Sequence, residues 1–401
     1  MDTLQPTTTD IFEKQHSFTR AKQAQAFGIY PYFVPFDDSE GTIVKYEGRE
    51  IIMIGSNNYL GLTTHPKVRE AAIEAVQKFG TSCTGSRYMN GTLRLHRELE
   101  ERLAAFVGKE EALVFTTGYQ TNLGVISAVV GRGDFIIADK EAHACVVDGA
   151  LMSFGELKRF KHSDVDDLDR VLSRLPDDGG RLIVVDGVYS MGGDIAPLSG
   201  IVEVAQRHNA RIMVDDAHSM GVLAGGRGTA AHFDLTSEVD LITGTFSKSF
   251  ASIGGFLAGD ADIMHFIQHH ARSFIFSASL PASNTAAALA ALDIMENEPE
   301  HVQKVWDNAA YMQQGLDELG FDTGDSETPI IPIYIGEDIK CGMVWRDLFD
   351  EGLFTNAVVP PAVPPNKSLL RTSYMSTHTR DQLDSALEIL EKIGKKHDLI
   401  S

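Results

Sequence analysis

Lys248 is the residue in this chain whose type and setting could do covalent chemistry. It closes the run Asp240-Leu-Ile-Thr-Gly-Thr-Phe-Ser-Lys248 and is followed by Ser-Phe-Ala-Ser-Ile-Gly-Gly255. The apolar, β-type stretch Leu241 to Thr245 delivers the amine into a loop of small residues, where burial can lower its pKa. A lysine amine made neutral in this way forms a Schiff base with a carbonyl. Taken alone, Lys248 also reads as an exposed loop lysine, since lysines are mostly surface residues. The choice rests on the other candidate residues.

Upstream, Met213-Val-Asp-Asp-Ala-His-Ser-Met-Gly221 ends a strand in two carboxylates and a histidine. Asp215, Asp216 and His218 suit a metal, yet no cluster such as H-E-x-x-H completes such a site. A pyridine cofactor needs one carboxylate against its ring nitrogen, and successive strand residues point to opposite faces, so one aspartate of the pair faces the ring. Phe115-Thr-Thr-Gly-Tyr-Gln-Thr-Asn122 runs from a strand into a helix start, whose free N–H groups hold phosphate, although Thr116 or Thr117 also reads as an ordinary cap. His143, beyond the strand ending at Ala138, can stack on a flat ring. Ser273-Phe-Ile-Phe-Ser-Ala-Ser279 adds hydroxyls, and Arg371 lies on a strand, where it can grip a carboxylate or make a surface salt bridge. The loop Ser56-Asn-Asn-Tyr-Leu-Gly61 can place Asn58 and Tyr59 in a cleft, and the small residues around Arg87 look like ligand-facing backbone. In chain order these are a phosphate cradle, a stacking histidine, a ring-nitrogen aspartate, a Schiff-base lysine and a carboxylate arginine. Together they match pyridoxal 5′-phosphate. Nucleotide cofactors lose ground, because neither G-x-x-x-x-G-K-[ST] nor a strand-borne G-x-G-x-x-G occurs.

The elements that must position these residues alternate regularly. Strands are expected at Ala112–Phe115, Asp134–Ala138, Leu182–Asp186, Ile212–Asp215, Leu241–Thr245 and Phe256–Ala258. Short, continuously apolar strands alternating with helices indicate an α/β domain with a mostly parallel sheet covered on both faces. Ligands collect beyond the carboxyl ends of such strands, where the candidate residues fall. The expected organisation is an N-terminal arm over 1–48 with a helix at Asp10–Ala26, a large domain over 49–290, and a smaller α+β C-terminal domain over 291–401. In the last, strands at Ile330–Ile335 and Leu369–Ser373 and helices at Met343–Asp350 and Thr379–Lys395 flank the stiff loop Val358-Val-Pro-Pro-Ala-Val-Pro-Pro365.

The chain has 401 residues and a net charge of −21, which argues against a nucleic-acid partner. Cys83, Cys145 and Cys341 form no C-x-x-C pair, so neither a disulfide framework nor a cysteine metal site is expected and a reducing cytoplasm is. The opening residues carry no basic, apolar leader and no later run reaches the roughly 18 apolar residues of a membrane span. Peripheral membrane contact is compatible with this reading.

At these residues the chain resembles the α-oxoamine synthases, pyridoxal-phosphate enzymes of the fold-type I aminotransferase architecture, from about Gly28 to Lys395. Ser56-Asn-Asn-Tyr-Leu-Gly61, Gly85-Ser-Arg87, Asp215-Asp-Ala-His-Ser-Met-Gly221 and Gly244-Thr-Phe-Ser-Lys-Ser249 are the family's landmarks in the family's order. The resemblance implies that Lys248 carries the cofactor, Asp215 meets the ring nitrogen, His218 its phenolic oxygen, and His143 stacks on the ring. It implies further that Gly118, Tyr119, Thr245 and Ser247 surround the phosphate or cofactor edge, and that Ser277 reaches the phosphate of a neighbouring subunit in a homodimer with shared active sites. Arg371, with Asn58 nearby, would hold the amino-acid carboxylate. Thr-Phe-Ser-Lys-Ser, the proline loop and Thr377-His-Thr379 resemble the branch that condenses L-serine with a long-chain acyl-CoA, releasing carbon dioxide and CoA to give 3-oxosphinganine. Sister enzymes using alanine or glycine are the alternative. Two departures are mild: Asp216 replaces a common glutamate, and the stretch Asp186-Gly-Val-Tyr-Ser-Met-Gly-Gly-Asp194 has glycine where an acidic residue is frequent.

Overall fold

The computed structural model describes residues 10–401. The opening nine residues, on which the reading of a missing leader rests, lie outside the described residues. In chain order the strands are β1 (Asp38–Glu40), β2 (Ile43–Tyr46), β3 (Arg49–Met53), β4 (Glu111–Phe115), β5 (Phe135–Asp139), β6 (Glu156–Phe160), β7 (Arg181–Asp186), β8 (Arg211–Asp215), β9 (Leu241–Thr245), β10 (Gly255–Gly259), β11 (Ile330–Gly336), β12 (Leu353–Phe354), β13 (Asn356–Val358) and β14 (Ser368–Ser373).

Seven of these strands make the central sheet, in the order β4-β10-β9-β8-β7-β5-β6. Pairings from β9 through β6 are parallel, and β10 runs antiparallel to both β4 and β9. The continuous apolar runs are explained by this burial: Leu182 and Val184 turn toward one core layer and Ile183 and Val185 toward the other. The strand β6 escapes sequence reading because it is an edge strand carrying Glu156, Lys158 and Arg159, the charges that discourage further pairing.

The expected domain limits are corrected at both ends. Instead of an arm running to residue 48, β1, β2 and β3 join β12 in a four-stranded sheet. Val44, Ile51, Met53 and Ile54 pack with Leu348, Leu383 and Leu390, so residues 38–54 build the core of the C-terminal unit. The other limit, at 290/291, falls inside the helix Ala282–Asn297. The crossing is made by the next helix, Glu300–Leu319: Val302 and Val305 belong to the large core, Met312 and Leu316 to the small one. Before residue 38 the expected single helix is two short ones, Glu13–His16 and Arg20–Ala26. The C-terminal unit pairs β11, β14 and β13 antiparallel, backed by the helices Asp338–Asp350 and Arg380–Lys396. No helix among the described residues is long and apolar enough to cross a membrane.

Candidate active site

The site is assembled at the carboxyl ends of the parallel strands, on one face of the sheet. Period-2 alternation decides which side chains arrive there. Asp215, last in β8, shares its face with Met213, whereas the next residue, Asp216, turns to the other layer. In register, Asp186 of β7, Asp215 of β8 and Thr243 of β9 stand side by side. Asp215 Oδ2 accepts from Asn122 Nδ2 at 2.6 Å and Oδ1 from the Ala217 N–H at 3.0 Å. Asp186, 5% exposed, has its carboxyl held well above the usual range by burial and then by the neighbouring Asp215 charge. Asp216 is fully buried and accepts from Ser219 and from the Thr229 N–H, so it is a structural partner outside the cleft.

Lys248 is delivered by β9. Phe246 and Phe250 on either side of it insert into the core, with ring centroids 5.1 Å apart and Phe256 completing the cluster. The backbone turns back at once, Ala251 N–H to Lys248 O at 3.0 Å and Ser252 N–H to Phe246 O at 2.9 Å, which fixes the root of a long, flexible side chain. Burial pushes the Lys248 ammonium down to about 8, with Asp215 opposing and the Arg371 charge reinforcing that shift. A neutral amine is therefore accessible near neutral pH.

The helix Gly118–Val129 starts directly after β4. The Thr117 hydroxyl caps it, accepting from the Gln120 N–H at 3.1 Å, and the N–H groups of Gly118 and Tyr119 ahead of that bond are those a helix start aims at an anion. Gly118 has to be glycine, because a Cβ there would come within 2.8 Å of Thr245 Cβ. That contact brings the helix start against Thr245, whose Oγ1 lies 2.9 Å from Ser247 Oγ. Hydroxyls and helix N–H groups thus converge as a phosphate holder requires, with Lys248 one residue beyond.

His143 caps the helix Ala144–Met152, its Nδ1 accepting from the Cys145 N–H at 3.3 Å, while its own N–H donates to Asp186 at 3.3 Å. Its ring is exposed at the edge of the cleft, 6.1 Å from that of Tyr119, which is tied to Asp148. His218 is buried, with its pKa driven well below the usual histidine value by burial, then by the Lys248 and Arg371 charges. Its Nδ1 lies 2.8 Å from the Tyr59 hydroxyl, which in turn accepts from Arg371 Nη2 at 3.3 Å. Arg371 comes from β14 of the C-terminal unit, so the relay Arg371–Tyr59–His218 spans the cleft between the units. Asn58, beside Tyr59, donates to Thr63 Oγ1 at 2.8 Å and has a buried Oδ1 without a hydrogen-bond partner, an acceptor poised for a ligand donor.

The structure therefore brings Lys248, Asp215, His143, His218, Thr245, Ser247, Gly118, Tyr119 and Arg371 around one cleft. Ser277 lies beside the same chain's helix Gly118–Val129, accepting from Gln120 Nε2 at 3.3 Å. Arg87, read from sequence as part of a ligand-facing loop, is instead a buried strut paired with both oxygens of Glu100. Asn122, Asp186 and Cys145 were missed as members. Asn122 has a signal, since it sits four residues after Gly118 and so one helical turn along the same face.

The family described as aminotransferase class I and II matches residues 49–390. The chain is 48% identical over 392 residues to a serine palmitoyltransferase of Sphingobacterium spiritivorum, covering 98% of each. It is 42% identical over 383 residues to an 8-amino-7-oxononanoate synthase of Thermoanaerobacter pseudethanolicus, covering 95% of this chain and 97% of that one. Among solved structures, serine palmitoyltransferase from S. paucimobilis with a bound PLP–myriocin aldimine superposes with a TM-score of 0.94 at 36% identity, over 97% of this chain and 98% of that chain.

Proposed function

The chain belongs to the aminotransferase class I and II family, in its α-oxoamine synthase branch, and from that premise we propose that it is a pyridoxal-phosphate-dependent acyltransferase condensing L-serine with a long-chain acyl-CoA. The products are 3-oxosphinganine, carbon dioxide and CoA. One observation carries the amino-acid half of this reading: a buried guanidinium with neutral partners, Arg371, faces a lysine whose ammonium is pushed down to about 8. A carboxylate and an amine on one carbon satisfy both at once. Full-length similarity to serine palmitoyltransferases favours serine as that amino acid.

The residues fit the cofactor. The helix start at Gly118 with Thr245 and Ser247 suits its phosphate, Asp215 its ring nitrogen, and His143 its ring face. When bound, pyridoxal phosphate supplies the electron sink for charge developing at the serine α-carbon. The chain does the rest. Lys248, close to half neutral at pH 8, takes the α-proton as a general base and returns one after carbon dioxide has left. Asn122 and the Ala217 N–H hold Asp215 in the orientation that keeps the ring nitrogen protonated. Arg371 fixes the carboxylate, and the uncharged His218 donates or accepts without adding a cation beside Lys248. Two copies of the chain share their sites, with Ser277 serving the partner's phosphate; the exposed Phe276 next to it, 76% accessible, supports such a covered face.

The test is an absorbance titration of the purified, cofactor-loaded protein with serine, alanine and glycine in turn, followed by palmitoyl-CoA with carbon dioxide and free thiol measured. A response selective for serine and release of both products support the proposal. Selective response to alanine moves the protein to the 8-amino-7-oxononanoate synthase type, and failure to take up the cofactor ends the catalytic reading.

A further inference from the structure

His162 lies outside the cleft, in the loop after the edge strand β6, yet it is one of the most tightly engaged histidines in the chain. Its Nδ1 is 3.0 Å from Asp139 Oδ1 at the end of β5, and its Nε2 is 3.0 Å from Asp194 Oδ2 and 3.8 Å from Glu141 Oε2. The Tyr189 ring stands edge-on against it at 4.4 Å between centroids. Asp139 is fully buried and is itself held by the N–H groups of Glu141 and Ser163, each at 2.8 Å. Burial alone would push the imidazole down, but the two carboxylates win and hold its pKa at about 10. At the pH of any cellular compartment it is a cation.

Asp194 and Tyr189 are the two ends of a tight hairpin. Val188 bridges Ile195, the Tyr189 N–H donates to Asp194 O at 3.0 Å, and the Gly193 N–H donates to Tyr189 O at 2.9 Å. At the tip is Ser190, whose carbonyl accepts from Arg371 Nε at 2.6 Å, the shortest bond that guanidinium makes. The hairpin thus has His162 gripping its base and Arg371 docked on its tip. Gly193 also meets the C-terminal unit, accepting from Thr328 Oγ1 at 2.9 Å.

We propose that His162 is a positioning residue for substrate carboxylate recognition: by clamping the 187–196 hairpin to the end of β5 it fixes the Ser190 carbonyl that aims Arg371. The clamp acts through geometry: the Nη groups have only the longer contacts to Ser373 and Tyr59 at 3.5 and 3.3 Å, so the 2.6 Å bond at Nε, and whatever holds that carbonyl, is the firmest anchor of the guanidinium plane. The inference rests on the reading of Arg371 as the carboxylate receptor.

His162→Gln removes the charge and leaves a single donor nitrogen, which cannot reach the carboxylates on both sides. Affinities of the cofactor-loaded enzyme for L-serine and for serinol, which keeps the amine but lacks the carboxylate, are measured by absorbance titration, together with KM for palmitoyl-CoA. The expected result is about tenfold weaker serine binding, serinol and palmitoyl-CoA within about twofold of wild type, and no additional serine defect when His162→Gln is placed on Arg371→Leu. Equal weakening of serine and serinol, or unchanged serine binding, overturns the inference. If Arg371→Leu alone leaves serine binding intact, the receptor reading itself falls and takes the inference with it; if Arg371→Leu impairs serine binding and His162→Gln does not, only the inference falls. Should His162→Gln fail to fold, Asp194→Asn loosens the hairpin end with the His162–Asp139 pair left in place, and the same titrations decide.

Discussion

Arg87 and Arg371 are buried to similar degrees, 9% and 4% exposed, and the fold treats them in opposite ways. Arg87 meets both oxygens of Glu100 at 2.7 and 3.0 Å, with the Val114 carbonyl and Thr92 hydroxyl completing its shell and the Phe274 ring 5.4 Å from it. Arg371 has a carbonyl and two hydroxyls, from Ser190, Ser373 and Tyr59, and among the described residues no carboxylate within salt-bridge reach. A buried cation without a countercharge is costly to keep. The first arginine is a strut that ties the 80–91 loop to a helix and β4. The second lacks a countercharge, as the proposed receptor of a substrate carboxylate requires.

The comparison breaks most visibly by mutation of each arginine. Arg87→Leu leaves Glu100 buried without its main partner and is expected to destabilise the protein by about 3–5 kcal/mol, while the fraction that folds retains serine affinity. Arg371→Leu removes a charge that was never neutralised, so stability changes by about 1 kcal/mol or less, while serine binding weakens by about a hundredfold. Urea unfolding and serine titration on both variants check this. Should the two show the same profile, strut and receptor are not distinct.

Lys248 sharpens the contrast, because it too is held in a form that folding disfavours. Its folded pKa of about 8 lies below the 10.5 of an unfolded lysine. Between those values the unfolded chain binds more protons, so the cost of Lys248 is fully present below pH 8 and fades as pH rises toward 10.5. Lys248→Met is therefore expected to stabilise the cofactor-free protein by about 1–3 kcal/mol at pH 7, with the gain shrinking at pH 10, while turnover is lost. Unfolding curves at the two pH values read the effect. A destabilised variant would mean that Lys248 contributes packing that outweighs its desolvation.

The cleft residues were legible in the sequence where chemistry is written into one short segment. The small residues after β9 single out Lys248, the strand rule separates Asp215 from Asp216, and the alternation of apolar runs announces the parallel sheet. The pairings were not, because the partners are remote in sequence: Asn122 is 93 positions from Asp215, Tyr59 is 159 from His218, and Arg371 is 312 from Tyr59. Arg87 was misjudged for a related reason, since small neighbours suggested a ligand loop while its countercharge, Glu100, lies thirteen positions on in a helix. The domain limits failed likewise. Nothing local in β3 says that it pairs with β12, which follows some 300 residues later.

The adjacent carboxylates Asp215 and Asp216 carry the comparison down to neighbouring residues, with the smallest expected effect on turnover falling on Asp216. Asp216 is held by Ser219 and Thr229 in the layer away from the cleft, and burial raises its pKa to about 6, above the 3.8 of an exposed aspartate. The folded chain then binds more protons between pH 4 and 6, so the associated stability is fully present below pH 3.8 and is lost as pH rises through about 6. Asp216→Asn fixes the group uncharged and should flatten that segment of the stability profile, a change of about 3 kcal/mol between pH 3.8 and 6, while turnover at pH 8 stays within about threefold of wild type. Asp215→Asn, one residue earlier on the opposite face, should instead strike cofactor absorbance and turnover. Two isosteric substitutions side by side thus separate a carboxylate that serves the fold from one that serves the cleft, and a turnover loss in Asp216→Asn as deep as in Asp215→Asn would mean that the strand does not insulate one layer from the other.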